Sequence, residues 1–164
     1  MAAAEDIALV KKQEQDLVLS EFDEVVAFKL GASIRDRALA EGLSLVVDIR
    51  SWDRQLFFAA TAGTSADNAE WVRRKINTVR RFQKASYRVS LERGGDGLFP
   101  DVVNANPADF VIAGGGFPIR VKGAGIVGCL TISGLPGRLD HGVAVAALCD
   151  YLGLDRAPYT LPAE

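Results

Sequence analysis

The apolar positions of this chain fall into alternating helical and extended patterns. Residues 3–19 set Ile7, Leu9, Val10, Leu17 and Val18 among charged residues, the pattern of an amphipathic helix. Ser20 and Asp23 are N-cap candidates for a second helix, with Val25, Val26, Phe28, Leu30, Ile34 and Leu39 as a broad apolar face and Gly42 placed to end it. The run SLVVDIRS at 44–51 is short, rich in β-branched residues and bounded by turn formers, which predicts a strand. Asp53 and Arg54 then make a turn, and residues 55–61 return antiparallel. This hairpin is expected to give Leu45, Val47, Ile49, Leu56 and Phe58 to the core.

Beyond it, Val72, Ile76, Val79 and Phe82 recur at spacings of four and three, a single helical face capped by Ser65 or Asp67. A break near Lys84–Ser86 introduces a second short helix before Gly94 and Gly95. Residues 93–109 are rich in Gly, Pro and Asn and read as a long loop, a length often associated with function or mobility. Phe117, Ile119 and Val121, then a glycine-rich bend at 122–125, then Ile126, Gly128, Leu130 and Ile132 predict a second hairpin. A last helix follows, capped by Asp140 and closed by Gly153, with an extended tail at 154–164. The expected order is α-α-β-β-α-(α)-β-β-α: an α+β fold, with an antiparallel sheet built from two hairpins and helices packed on it.

A length of 164 residues suits one domain, with a core at about 5–153. Hydrophobic residues at 49% and charged residues at 24% describe an ordinary globular chain. The net charge of −2 supplies no global field for nucleic acid, so no nucleic-acid partner is expected. No apolar run is long enough for a membrane span, and the N-terminal MAAAEDIALVKKQEQDL lacks the basic start and apolar middle of a signal peptide. The two cysteines, Cys129 and Cys149, form neither a disulfide framework nor a CxxC pair. These features together predict a cytoplasmic protein that makes no membrane contact.

Four features carry possible chemistry. Arg73, Arg74, Lys75, Arg80, Arg81, Lys84 and Arg88 form a basic stretch without an acid. Arg73, Arg80 and Lys84 share one helical side and suit phosphates or carboxylates through charge-assisted hydrogen bonds; a solvated face, or one paired with acids on a neighbouring element or subunit, is the commoner reading of such a run. Gly114-Gly115-Gly116 precedes a strand rather than a helix, so it reads as backbone freedom and not as a phosphate loop. His141, the sole histidine, stands beside Asp140 and suits a general acid or base, an iron ligand or a capping role. One histidine and two distant cysteines make no zinc set, so no metal site is expected.

The segment GGGFPIRVKGAGIVGCLTISGLPGRLDHGVAVAAL, above all Gly115-Gly116-Phe117-Pro118-Ile119, Ser133-Gly134-Leu135 and Asp140-His141, resembles the haem-degrading-domain family of GlcG-like and HbpS-like proteins. The whole chain, over about 5–153, is closer to that family's short cytoplasmic branch, whose long basic helix and first strand are similar to WVRRKINTVRRFQKASYRVSL and SLVVDI. The resemblance implies a compact α+β domain assembled into homo-oligomers, some members of which bind haem. Under that reading Arg73, Arg80, Lys84 and Arg120 are the candidates for holding haem propionates or another anion, and His141, Tyr87 or a cysteine for ligating the iron. Three functions follow as expectations: binding of haem or another tetrapyrrole, with or without its oxidative degradation; a non-enzymatic homo-oligomeric scaffold or binding protein; and an enzyme acting on a small anionic substrate, with Arg73, Arg80 and Arg120 as its clamp and His141 as its acid or base.

Overall fold

The computed structural model describes residues 2–164; Met1, the first residue of the N-terminal stretch read above, lies outside them. Helix α1 (Ala2–Asp16) runs into the two-residue strand β1 (Val18–Leu19). Helix α2 (Glu24–Glu41) precedes strands β2 (Val46–Ser51) and β3 (Gln55–Ala60). Helices α3 (Ala66–Phe82) and α4 (Ser86–Glu92) follow, then strands β4 (Gly116–Val121) and β5 (Gly125–Ser133) and helix α5 (Gly137–Leu152). The sheet is open, in the order β1-β4-β5-β2-β3. All its neighbours are antiparallel except β1, which runs parallel to β4.

Local chemistry explains most boundaries. Asp23 accepts the Val26 N–H and starts α2, and Gly42, at φ 65°, ends it in the left-handed conformation. Ser65 and Asn68 form a reciprocal capping box for α3. That helix stops at Phe82, so Arg88 belongs to α4 and not to a continuous basic stripe.

Several expectations need correction. Of the apolar face expected for α2, Val26, Leu30 and Ile34 are buried but Val25, Phe28 and Leu39 are exposed, and the tail read as extended holds a 3-10 turn at Ala157–Tyr159. The first helix was expected through residue 19, but it ends at Asp16; Leu17, just before β1, and Leu19, within it, are buried, and the strand is too short to show a period. The sheet therefore gains a parallel edge strand that the two-hairpin scheme lacks. Phe58 was assigned to the core but is 45% exposed, because a register shift between Ile49 and Arg50 pairs Ile49 with Phe57. Phe57 faces inward instead, against Gly31 of α2, where a Cβ would run into its ring. Finally, Asp140 does not cap α5: Pro136 occupies the cap, and Asp140 lies inside the first turn.

The two sheet faces differ. Val47, Ile49, Phe117, Ile119, Leu130 and Ile132 pack with Leu30 and Ile34 of α2 and Ala144 and Leu148 of α5 in the principal apolar core. Each such side chain contributes roughly 1.5–3 kcal/mol through burial. Across the sheet, Val46 and Cys129 meet Val72, Ile76 and Val79 of α3 in a smaller cluster. A third cluster, Val89, Phe99, Ala105 and Ile112, pins the long 93–109 segment, with the Phe82 and Phe99 rings stacked at 5.1 Å.

Candidate functional site

The first turn of α5 collects the chain's unusual polar side chains. Two residues adjacent in sequence leave it in different directions. Asp140 enters a polar cleft under α3. Its Oδ2 accepts from Lys75 Nζ at 3.0 Å and its Oδ1 from the Leu135 N–H. Lys75 Nζ also donates to the Ile132 carbonyl at 2.9 Å. Both charged side chains are almost wholly buried. Burial pushes the Lys75 amine down and the Asp140 acid up from their usual ranges, and the pairing of each with the other opposes both shifts. Gly115 makes this approach possible, because a Cβ there would strike the Ile132 carbonyl and the Lys75 ammonium. The cleft, about 330 Å³, is also lined by Asn68, Trp71, Asp96 and Ser133.

His141 turns the other way, into the apolar core. Its ring centroid lies 5.1 Å from that of Tyr87 and 5.8 Å from that of Phe117. Gln13 Nε2 donates to the Tyr159 carbonyl at 2.6 Å, which turns Gln13 Oε1 toward His141 Nε2, 2.7 Å away. That geometry fixes the neutral imidazole with its proton on Nε2. Nδ1 is buried without a hydrogen-bond partner. Burial, reinforced by the Arg138 charge, pulls the histidine pKa down to about 3.

Gln13 is also part of the wall of a cavity of about 590 Å³ between α5 and the C-terminal tail. Leu139, Val145, Ala146 and Leu161 give it an apolar lining, and Arg138, Arg156 and Tyr159 supply polar groups. The Arg138 guanidinium is held by Asp6 at 2.6 Å, the Tyr87 hydroxyl at 2.9 Å and the Pro162 carbonyl at 2.5 Å. Arg156 pairs with Asp150, and the Tyr159 hydroxyl donates to Asp16.

Residues 22–149 match the family model described as haem degrading protein, HbpS-like. The chain belongs to this HbpS-like family. A UPF0303 protein of Mesorhizobium japonicum is 54% identical over 165 residues, covering 100% of this chain and 99% of the relative. Among solved structures, the Ybr137w protein superposes with a TM-score of 0.82 at 27% identity, covering 90% of this chain and 87% of that one. PduOC, solved as its heme complex, gives 0.61 at 20% identity, covering 80% and 94%; this last likeness is one of fold.

In this HbpS-like chain the residues singled out from sequence do not converge on one pocket. Arg73 is at the surface, bound to Glu70, Asp109 and the Ala108 carbonyl. Arg80 lies over the Trp52 ring. Lys84 pairs with Glu92 at 2.5 Å, and Arg88 with both Glu14 and Glu92. Arg73, Lys84 and Arg88 are therefore acid-paired, whereas Arg80 rests on an aromatic ring. Arg120 is elsewhere, at a cavity of about 500 Å³ shared with Lys11, Glu14, Gln15 and Arg88, where its Nε is buried without a partner. Only Tyr87 and His141 are brought together, and His141 is fully buried while Tyr87 is nearly so. Sequence reading missed Asp96, Arg138, Arg156 and Tyr159. It also missed the distinct role of Lys75, although Lys75 lies three residues after Val72 and four before Val79, a charge on an apolar stripe. Cys129 and Cys149 are both buried and outside any disulfide. No helix of the described residues is long and apolar enough to cross a membrane.

Proposed function

We propose that this chain binds haem or a related tetrapyrrole in the cavity between α5 and the C-terminal tail. The observation that carries the reading is the cavity itself: an apolar space of about 590 Å³ with two arginines in its wall, in a member of the HbpS-like family. Its size falls in the usual range for cofactor sites, and arginines suit propionate carboxylates. The PduOC heme complex, of the same fold, supports the assignment. Bound haem would supply redox-active iron. Arg138 and Arg156 would hold its propionates, exchanging the Pro162 carbonyl and Asp150 for them. Tyr159 reaches the cavity directly. His141 stands one residue behind the wall and meets the iron only if Gln13 moves aside.

The reading includes self-association and a cytoplasmic location. Val25, Phe28 and Leu39 are exposed along one side of α2, a stripe suited to a second copy, and two buried cysteines outside any disulfide are in keeping with a reducing compartment. Light scattering behind size exclusion tests the first point, and a monomer at all working concentrations contradicts it.

Titration with haemin tests the binding. The wild type is expected to shift the Soret band to saturation, and Ala146→Trp, which fills the cavity, to abolish the shift. A wild type without a shift, or an Ala146→Trp variant that binds equally well, overturns the proposal. The ligand follows from two further variants: Tyr159→Phe moves the Soret maximum if the phenol binds iron, and His141→Gln moves it if the imidazole does. Bleaching of the bound Soret band under a reductant and oxygen would mark degradation rather than binding alone.

A further inference from the structure

The polar cleft at the start of α5 is separate from the proposed haem cavity, and its components form a different kind of site. At its floor is the one lysine of this chain placed in a buried environment: Lys75 is 3% exposed. An acid capable of moving a proton lies 3.0 Å from its nitrogen. Asn68, Ser133 and Asp96 bring polar side chains to its lining, and Trp71, with the Arg74 guanidinium 4.5 Å from its ring centroid, brings an indole. Asp96 is oriented by Ser90, whose hydroxyl donates to it at 2.5 Å. Two carboxylates and one ammonium leave the cleft with a negative balance, which disfavours an anionic ligand. Neutral hydroxyl groups bind well to carboxylate, amide and hydroxyl partners, and the C–H face of such a molecule packs on indole.

We propose that this cleft takes a small, uncharged, hydroxylated aldehyde or ketone, and that Lys75 forms a Schiff base with it. Desolvation is a recognised means of activating a lysine amine toward carbonyl carbon. Burial favours the uncharged amine and the protonated acid while their mutual pairing opposes both shifts, so the carbonyl reacts with that fraction of the pair in which the proton has passed from Lys75 to Asp140. The Lys75 nitrogen adds to the carbonyl carbon, forming a C–N bond, while Asp140 protonates the carbonyl oxygen to give a carbinolamine. The nitrogen then returns a proton to Asp140, Asp140 delivers it to the hydroxyl, which leaves as water as the C=N bond forms, and the iminium proton passes back to Asp140. Amine plus carbonyl gives imine plus water, with nothing oxidised or reduced. The Asn68, Ser133 and Asp96 side chains bind the neighbouring hydroxyls, and the Ile132 carbonyl positions the amine.

Borohydride trapping tests this on the intact protein. The wild type is incubated with dihydroxyacetone, reduced with sodium borohydride and analysed by intact mass and peptide mapping. The expected result is one reduced adduct per chain, on Lys75, ahead of Lys11, Lys12, Lys29, Lys84 and Lys122. Lys75→Arg keeps a cation beside Asp140 and is expected to lose the adduct. Should that variant fail to fold, the wild-type map decides alone, since the other lysines are internal comparators. Absence of an adduct, or labelling of those other lysines with Lys75 unmodified, overturns the proposal and leaves the Lys75–Asp140 pair as a structural contact only. The haemin titration is read independently, so either site can fail without the other.

Discussion

Asp140 and His141 are neighbours in sequence, yet they occupy opposite regions of the molecule. His141 joins the apolar side, where α2 and α5 cover the sheet with a large continuous core. Asp140 joins the α3 side, where the sheet presents Asp48, Thr131 and Ser133, all buried, and only a small apolar cluster holds the helix. Arg50 satisfies Asp48 with two hydrogen bonds, at 2.8 and 2.6 Å, and Lys75 satisfies Asp140. One side is held by packing, the other by paired polar groups. Buried polar groups are costly unless every partner is in place. The α3 side is therefore the one that stability alone does not account for, and it carries the reactive-lysine site. The apolar side carries at its margin the cavity proposed for haem.

Breaking one partner on the polar side should have the largest effect. Asp140→Asn or Lys75→Met leaves an uncompensated buried charge and is expected to cost about 3–5 kcal/mol in denaturant unfolding. The double variant Lys75→Met/Asp140→Leu should recover most of that loss. Equal instability of single and double variants would contradict the paired-charge account. On the apolar side, Leu130→Ala should cost about 2–5 kcal/mol by leaving a cavity, with no recovery available from a second polar change.

Acid should act through the histidine. The folded-state pKa of His141 lies near 3, below the ordinary 6.5, so between these values the unfolded chain binds a proton that the folded chain does not. Stability from this group is complete above about 6.5 and falls by about 1.4 kcal/mol per pH unit on acidification toward 3. His141→Gln should flatten that slope. An unchanged pH profile of urea midpoints would show that His141 is not the group responsible. The smallest effects belong to the surface. Asp23→Ala removes the α2 cap for about 1 kcal/mol, and Arg73→Ala loses exposed pairs for less than about 1 kcal/mol.

The same contrast explains what the sequence reveals. Packing follows periodicity, so the α3 and β2 patterns and the caps at Asp23, Gly42, Ser65 and Gly153 are readable residue by residue, whereas in α2 only Val26, Leu30 and Ile34 of the expected face are buried, and in β5 a register shift sets Val127 rather than Ile126 against the core. The β1 strand is not, because two residues carry no period and its partner β4 lies about a hundred residues away. Phe57 and Phe58 exchange roles through a bulge that composition does not mark. Polar pairing is three-dimensional: nothing in the run Arg73–Arg88 says that Lys75 alone turns inward to Asp140, except its place on the apolar stripe. Arg138, Arg156 and Tyr159 become site residues only when the tail folds back across α5. The glycines of 114–116 were legible as backbone freedom, and Gly115, at φ 129°, uses it to admit the lysine.

Hydrogen exchange of backbone amides, read by mass spectrometry with and without haemin, tests most directly whether the cofactor belongs to the apolar side. The account predicts slowed exchange confined to residues 139–146 of α5 and 159–162 of the tail. Protection absent from both, or concentrated in residues 68–75 of α3, would contradict it.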